Sequence, residues 1–291
     1  MAKLQNVTTT EEINVTPRAI DFVSSFSRTL ERFLEVAGQS RFIAKTPGTT
    51  LRTITATIST ASSPAEGYAV PLSLASVVEA PIGTIALEKY RKGVTAEAIE
   101  KDGYDIAVAK TDEAMLNEHV DRILNKFYSF LSTGTLSASA TGFQAALASS
   151  IGAVKNYFKS NSLSYTGTVA FVNLKDFYTY LGGASITVQN EFGMFYIQNF
   201  MGAEVVILCD DNCVPQGKMY VTAINNIVGY HINPANSDYA RAGLVYYTDQ
   251  TGLIGAAEEG NYEYVAGILN IIYGITIFAE YLAGVCVATI N

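Results

Sequence analysis

Few residues in this chain are suited to chemistry. Its 291 residues include two histidines, His119 and His231, and three cysteines, Cys209, Cys213 and Cys286. A structural zinc site needs four converging ligands, commonly delivered as closely spaced pairs. There is no Cys-x-x-Cys pair and the histidines lie on separate segments, so no metal is expected. The odd thiol count argues against a secreted disulfide framework, and the cysteines read as buried or inert. Ala148-Ser149-Ser150-Ile151-Gly152 imitates a nucleophile elbow, which needs a sharp strand-to-helix turn, but Ser150 falls inside a helical pattern. Gly217-Lys218 has no glycine five residues earlier, and no G-x-G-x-x-G occurs, so no phosphate loop is present.

The remaining polar groups read as structural. Asp210 and Asp211, near Cys213, suggest a solvated turn in place of a cation site. His119 adjoins Glu118 off the apolar stripe of its helix and reads as a partly exposed imidazole. His231 ends a strand before Asn233-Pro234 and reads as a satisfied structural histidine. Lys89, Arg91 and Lys92 are the densest basic cluster; lacking an aromatic ladder, they read as an ion-pair site at a hairpin base. No catalytic residue, cofactor or metal ligand is nominated. Acid–base work by paired carboxylates stays open, because spacing alone does not bring two of them into one cleft.

Composition shifts attention from a site to a surface. The net charge is -8, which argues against general coating of nucleic acid by clustered Lys and Arg. Charged residues are 16% and apolar residues 49%, with Tyr 18, Phe 14 and Trp 0; an ordinary soluble domain carries about 25% charge. Such a chain must hide surface in its core or against copies of itself. The first residues, MAKLQNVTTTEEINVT, lack the apolar core of a signal peptide. The uncharged run 264–279, between Glu263 and Glu280, has 16 residues, short of the roughly 20 that span a bilayer. It contains Asn270, Gly274 and Thr276 and is rich in β-branched residues, so two buried strands are expected and no membrane.

The elements follow from periodicity. Thr16 as cap, Pro17 in the first turn and Gly38 as stop bracket a helix with Val23, Phe26, Leu30, Phe33, Leu34 and Ala37 at helical spacing. Residues 51–60 alternate, with Ile54, Ala56 and Ile58 on one face and threonines on the other, and 82–87 offers the returning strand. An isolated hairpin is marginal in water, so this one is expected to rest on a partner. A long helix over 112–132, capped by Thr111, carries Leu116, Val120, Ile123, Phe127, Phe130 and Leu131, with Glu113, Asn117, Asp121 and Asn125 on a polar stripe. A helix over 142–159, a buried strand 168–172, a short helix capped by Asn173 and stopped by Gly182-Gly183, and strands at 202–211 and 218–232 suggest an α/β unit. Strands return over 243–290, with turns near Gly252, Gly255 and Gly260.

This order of parts, a helical arm, a long β-hairpin, KYRKGVTAEAIEKDGYDIAVAKTDEAMLNEHVDRILNKFYSFLSTGT, then TVAFVNLKDFYTYLGG and VPQGKMYVTAINNIVGYHINP, resembles the major capsid proteins of tailed bacteriophages. These share the Hong Kong 97-type coat fold. The resemblance implies an α+β chain divided into an N-terminal helical arm (1–45), an extended hairpin loop (46–88), a peripheral domain (89–140 and 240–282) with a spine helix at 112–132, and an axial α/β domain (141–239 and 283–291). It implies self-assembly into pentamers and hexamers of an icosahedral virion shell, assembled in the host bacterial cytoplasm. Double-stranded DNA would be enclosed without sequence-specific binding, and portal and decoration proteins are implied partners. Some members weld subunits through a lysine on the extended loop; 46–88 has no lysine, so cohesion is expected to be noncovalent. An arm of about 45 residues looks too short for a fused scaffolding segment, so a separate scaffold, or a chain seen after cleavage, is expected.

The inter-subunit candidates are Leu51, Ile54 and Ile58 as apolar contacts and Arg52, Glu66 and Glu79 as charge pairs. An encapsulin-like nanocompartment shell and an α/β-class enzyme with an unidentified carboxylate site remain as alternatives.

Overall fold

The computed structural model describes residues 17–37, 42–182, 188–191, 194–235 and 237–291. The expected caps Thr16 and Gly38, and Gly183 of the glycine stop, lie outside them. The described chain opens with helix α1 (Pro17–Val36), strand β1 (Phe42–Ala44) and a hairpin of β2 (Thr50–Ser59) and β3 (Leu74–Thr84). Strand β4 (Glu88–Thr95) leads through α2 (Ala96–Asp102) and a π-helical turn (Asp105–Lys110) into the long helix α3 (Thr111–Leu131). Then come β5 (Leu136–Ala140), α4 (Phe143–Ser160), β6 (Thr168–Asn173), α5 (Leu174–Leu181) and β7 (Gln189–Glu191). Strands β8 (Met194–Phe200), β9 (Ala203–Cys209), β10 (Lys218–Ala223) and β11 (Ile227–His231) precede α6 (Ser237–Arg241). The chain closes with β12 (Ile254–Asn261), β13 (Ala266–Tyr273), β14 (Ile275–Ala279) and β15 (Cys286–Ile290).

These form a mixed α+β architecture. A seven-stranded sheet runs β5-β15-β10-β6-β9-β8-β7, with β6 buried along its whole length. Alternation along β6 splits the core in two. Ala170 and Val172 meet Leu147, Val154 and Phe158 of α4, while Val169 and Phe171 join the cluster that holds Phe127 and Tyr128 of α3. Two three-stranded sheets, β12-β13-β4 and β1-β11-β14, pair the last third of the chain with its first half. The run 218–232, expected as one strand, breaks at a 3-10 turn over Ile224–Asn226, and its halves enter different sheets. Buried Asn226 fixes that corner: its Nδ2 donates to the Thr222 hydroxyl at 2.9 Å and the Tyr281 carbonyl at 3.0 Å, and its Oδ1 accepts from the Tyr281 amide at 2.7 Å. Residues 264–290 likewise feed three sheets, and no helix of the described residues is long and apolar enough to cross a membrane.

Helix α1 lies on α3 and β12 with Phe22, Val23, Phe26, Leu30 and Phe33 buried. Arg18 pairs with Asp112 and Phe33 meets Phe127, so the two helices run parallel in matched register. An ion network closes their N-terminal ends. Asp112 takes Arg18 at 2.5 Å and Lys92 at 2.5 Å, and Arg18 reaches Glu258 at 2.8 Å, all with little exposure. Of the basic cluster, Lys92 and Arg91 enter ion pairs, Arg91 on Glu259 at 2.6 Å, but on the β12-β13-β4 sheet and not at the base of the β2-β3 hairpin.

Several expectations need correcting. Thr111 is not a starting cap: the chain arrives already helical, and its hydroxyl donates back to Ala107 at 2.7 Å and Val108 at 3.0 Å. His119 is not a surface imidazole. It shares the inward face with Leu116, Val120 and Ile123, is 3% exposed, lies 4.3 Å from the Tyr90 ring and meets the Tyr273 hydroxyl at 3.1 Å. Burial, with Arg122 nearby, holds its pKa below the ordinary histidine value. His231 is packed against Phe42 but not satisfied, since its buried Nδ1 has no hydrogen-bond partner. Gly255 and Gly260 lie inside β12, and the turn falls instead at 262–265, where Val265 takes a φ of 48°. The returning hairpin strand is Leu74–Thr84, earlier than 82–87.

Burial opposes charge on Asp112, but hydrogen bonds from Arg18 and Lys92 outweigh it and hold its carboxyl below the ordinary range. Asp112→Asn leaves two cations without their counter-charge and should cost about 3–5 kcal/mol near neutrality. The carboxylate's contribution is present above its unfolded-state pKa and is lost as pH falls through the lower folded one. Urea midpoints of parent and variant should therefore differ by a constant amount at neutral pH and converge below about pH 4. A gap unchanged in acid would mean that the cost is steric.

Candidate functional site

The motifs that imitate catalysis dissolve on inspection. The Ser150 hydroxyl is buried within α4 and donates to the Leu147 carbonyl at 2.8 Å. Asp210 Oδ1 accepts from the amides of Asn212 at 3.1 Å and Cys213 at 2.9 Å, and Asp211 takes the side chains of Asn173 and Lys175. That is a tied turn, and no cluster of three metal-ligating side chains occurs among the described residues. Burial pushes the Cys209 thiol up to about 12 and Cys286 to about 11, which disfavours the reactive thiolate.

The hairpin is where the chain departs from a closed globule. β2 and β3 pair from Thr50↔Thr84 to Ser59↔Leu74, with a bulge between Leu51 and Arg52. At about 3.3 Å per residue, ten residues reach roughly 33 Å. Its root is fastened. Leu51 is buried with Ile85, Ile232 and Phe278, the Gly48 amide donates to Ile85 at 2.9 Å, and the Ile54 amide donates to the Glu280 carbonyl at 2.7 Å. Beyond the root it is exposed among the described residues. Val77 and Val78 point to opposite faces of β3, yet are 61% and 62% exposed. Tyr68, Val70 and Leu74 are exposed as well, and Leu72 is 97% exposed.

The six candidates divide along this ribbon. Leu51 belongs to the root and is buried in its own chain, so it anchors the hairpin and is not offered to a neighbour. Arg52 and Glu79 meet each other across the strands at 2.8 Å, both half exposed, which uses each within the chain. Such an exposed pair contributes about 0.2–1 kcal/mol. Ile54 is half-buried opposite Glu79, and Glu66 is exposed near the tip. Ile58 pairs with Ala75 in the ladder; its side chain lies outside the described residues. Missed entirely were Leu72 and Val70, which sit in an irregular stretch where no periodicity flags them. A leucine beside a proline in a serine- and proline-containing connection was the only signal available.

Solved structures reproduce this arrangement over nearly the whole chain. The capsid asymmetric unit of cyanophage A-1(L) aligns with a TM-score of 0.55 at 12% identity, covering 98% of this chain and 99% of that one. The capsid of cyanophage P-SCSP1u aligns at 0.52 and 9% identity, covering 86% and 85%. The chain has the Hong Kong 97-type coat fold. The holo-SrpI encapsulin complex of Synechococcus elongatus aligns more loosely, at 0.45 and 9% identity over 99% of this chain and 92% of that one. No family model matches the sequence and no curated protein does. At such identities the coat fold is shared through the order and packing of elements, not through common side chains.

Root and tip of the hairpin should respond oppositely to mutation. Leu51→Ala opens a cavity in the root cluster and should lower the stability of the isolated subunit by about 2–5 kcal/mol. Leu72→Ser removes a side chain that touches almost nothing and should stay within about 0.5 kcal/mol of the parent. Denaturant midpoints of unassembled protein measure both; equal losses would mean that the tip packs on its own chain.

Proposed function

We propose that this chain is the major capsid protein of a tailed double-stranded DNA bacteriophage, assembling with itself into hexamers and pentamers of an icosahedral shell. The observation that carries the proposal is the ribbon with both faces uncovered, on a chain with the coat fold. A two-stranded ribbon is marginal alone, and apolar patches larger than a few hundred Å² are unusual on monomers. A neighbouring subunit supplies the missing cover. Many standard interfaces, each burying about 1,600 Å², then add up to a stable shell from individually modest contacts.

On this reading 46–88 is the extended loop, α3 is the spine helix of the peripheral domain, and 141–239 with 283–291 is the axial domain. α1 belongs to the N-terminal arm yet is packed into the body. The loop has no lysine, so cohesion is noncovalent. A separate scaffold and a portal complete the assembly in the host cytoplasm, and the shell encloses DNA without reading its sequence. The role is structural, with no catalysis assigned.

Deleting 60–80 tests the reading. The shortened subunit should keep the parent's thermal unfolding, because the root cluster remains in place, and electron microscopy of the expressed product should show no closed shells. Shells of normal size from the deletion variant would refute the assigned role of the hairpin. Co-purification of a packaged enzyme in place of DNA would favour the nanocompartment reading.

A further inference from the structure

A second unfilled surface lies away from the hairpin. A groove of about 680 Å³ runs between α1, α3 and the end of β9. That volume falls within the range of about 300–1,000 Å³ usual for ligand sites. Its floor is apolar, from Phe33, Val120, Leu124 and Ile207. Its rim is polar: Asn117 and Asp121 stand four residues apart on α3, with Asp210 beside them at the end of β9. The 210–213 turn is drawn against α3, where the Cys213 thiol donates to Asn125 Oδ1 at 3.2 Å. Among the described residues no Lys or Arg forms an ion pair with Asp121 or Asp210. Asp121 has its pKa raised by partial burial and by the Asp210 charge, as expected of a carboxylate still wanting a cation.

We infer that this groove binds an amphipathic helix of a separate protein, one that presents leucine-like side chains to the floor and a lysine or arginine to Asp121 and Asp210. The length fits. From Asn117 to Tyr128, the α3 residues that line the groove, is about 16 Å of helix, three turns, which covers anchors at i, i+4 and i+7 of a docked helix. The walls fit too, because α1 and α3 run parallel and side-chain ridges of a third helix pack into the groove between two. Among the described residues, no long helix of a second copy is free to supply it. The apolar faces of α1, α3 and α4 are already buried in their own core. The short α2 has no buried residue but carries Glu97, Glu100 and Asp102, the same sign as the rim.

The test uses the full chain and a fluorescent synthetic helix of leucine and lysine, about 18 residues long so that it folds alone, with a leucine–glutamate counterpart. Anisotropy titration should show saturable binding of the lysine peptide, one per chain, and none of the glutamate peptide. Asp121→Asn with Asp210→Asn should weaken binding roughly tenfold, and Leu124→Asp should abolish it. Glu97→Gln with Glu100→Gln removes equal charge elsewhere and should leave it unchanged. The two asparagine changes lie at exposed positions, so they decide the matter even if Leu124→Asp fails to fold. Absence of binding, equal weakening by the Glu97/Glu100 control, or an altered oligomeric state of the groove variants with no effect on peptide binding would each overturn the inference, the last by giving the groove to a second copy.

Discussion

Water on both faces of a two-stranded ribbon is the condition around which this molecule is organised. The ladder between β2 and β3 satisfies one row of backbone groups on each strand, but among the described residues no third strand joins it. Exposed valines on opposite faces mean that neither side of the ribbon contacts the body. The fold therefore concentrates its effort at the root. Leu51 and Ile85 from the hairpin meet Ile232 and Phe278 beside the β1-β11-β14 sheet, so the ribbon leaves from a rigid platform. A flexible root would let the ribbon collapse onto its own chain and hide the surface it exposes.

The platform itself depends on α3, which is covered from several sides. One face carries Phe127 and Tyr128 toward the seven-stranded sheet; another meets Tyr90 and Tyr273 through His119. Charge burial at the helix start is tolerable because Asp112 lies between two cations, with Glu258 balancing Arg18. The result ties α1, β4, α3 and β12 together at one point. Four elements far apart in sequence thus share one electrostatic junction.

Local patterns were readable where one element faces one environment. The apolar stripe of α1, the all-buried β6 and the Asn173 cap, whose side chain accepts from the Lys175 amide, all follow from spacing and residue type. Reading failed where tertiary packing decides. His119 sits on the inward arc with Leu116 and Ile123, yet its polarity suggested the opposite side; only the tyrosines of β4 and β13 make its burial acceptable. In the hairpin, alternation put Ile54 and Thr53 on opposite faces without saying which one turns inward. Near the root it is Leu51 and Thr53 that are buried, with the Thr53 hydroxyl donating to the Ala80 carbonyl at 3.3 Å. The 218–232 run hid its corner because two asparagines within an apolar stretch do not say which one bends the chain. The candidate contacts fared unevenly for the same reason, since exposure belongs to the whole chain and not to a window of it.

The way the ribbon is fastened also determines how the molecule would bear tension. A pull on the tip draws both strands the same way, so the rungs between them feel little shear and the strain travels to the base. There it falls on a handful of buried side chains and on single backbone bonds such as the one from Ile54 to Glu280. Mechanical toughness of any structure stitched together by these ribbons would accordingly be limited by a small aliphatic plug inside each subunit, not by the area where one subunit touches the next.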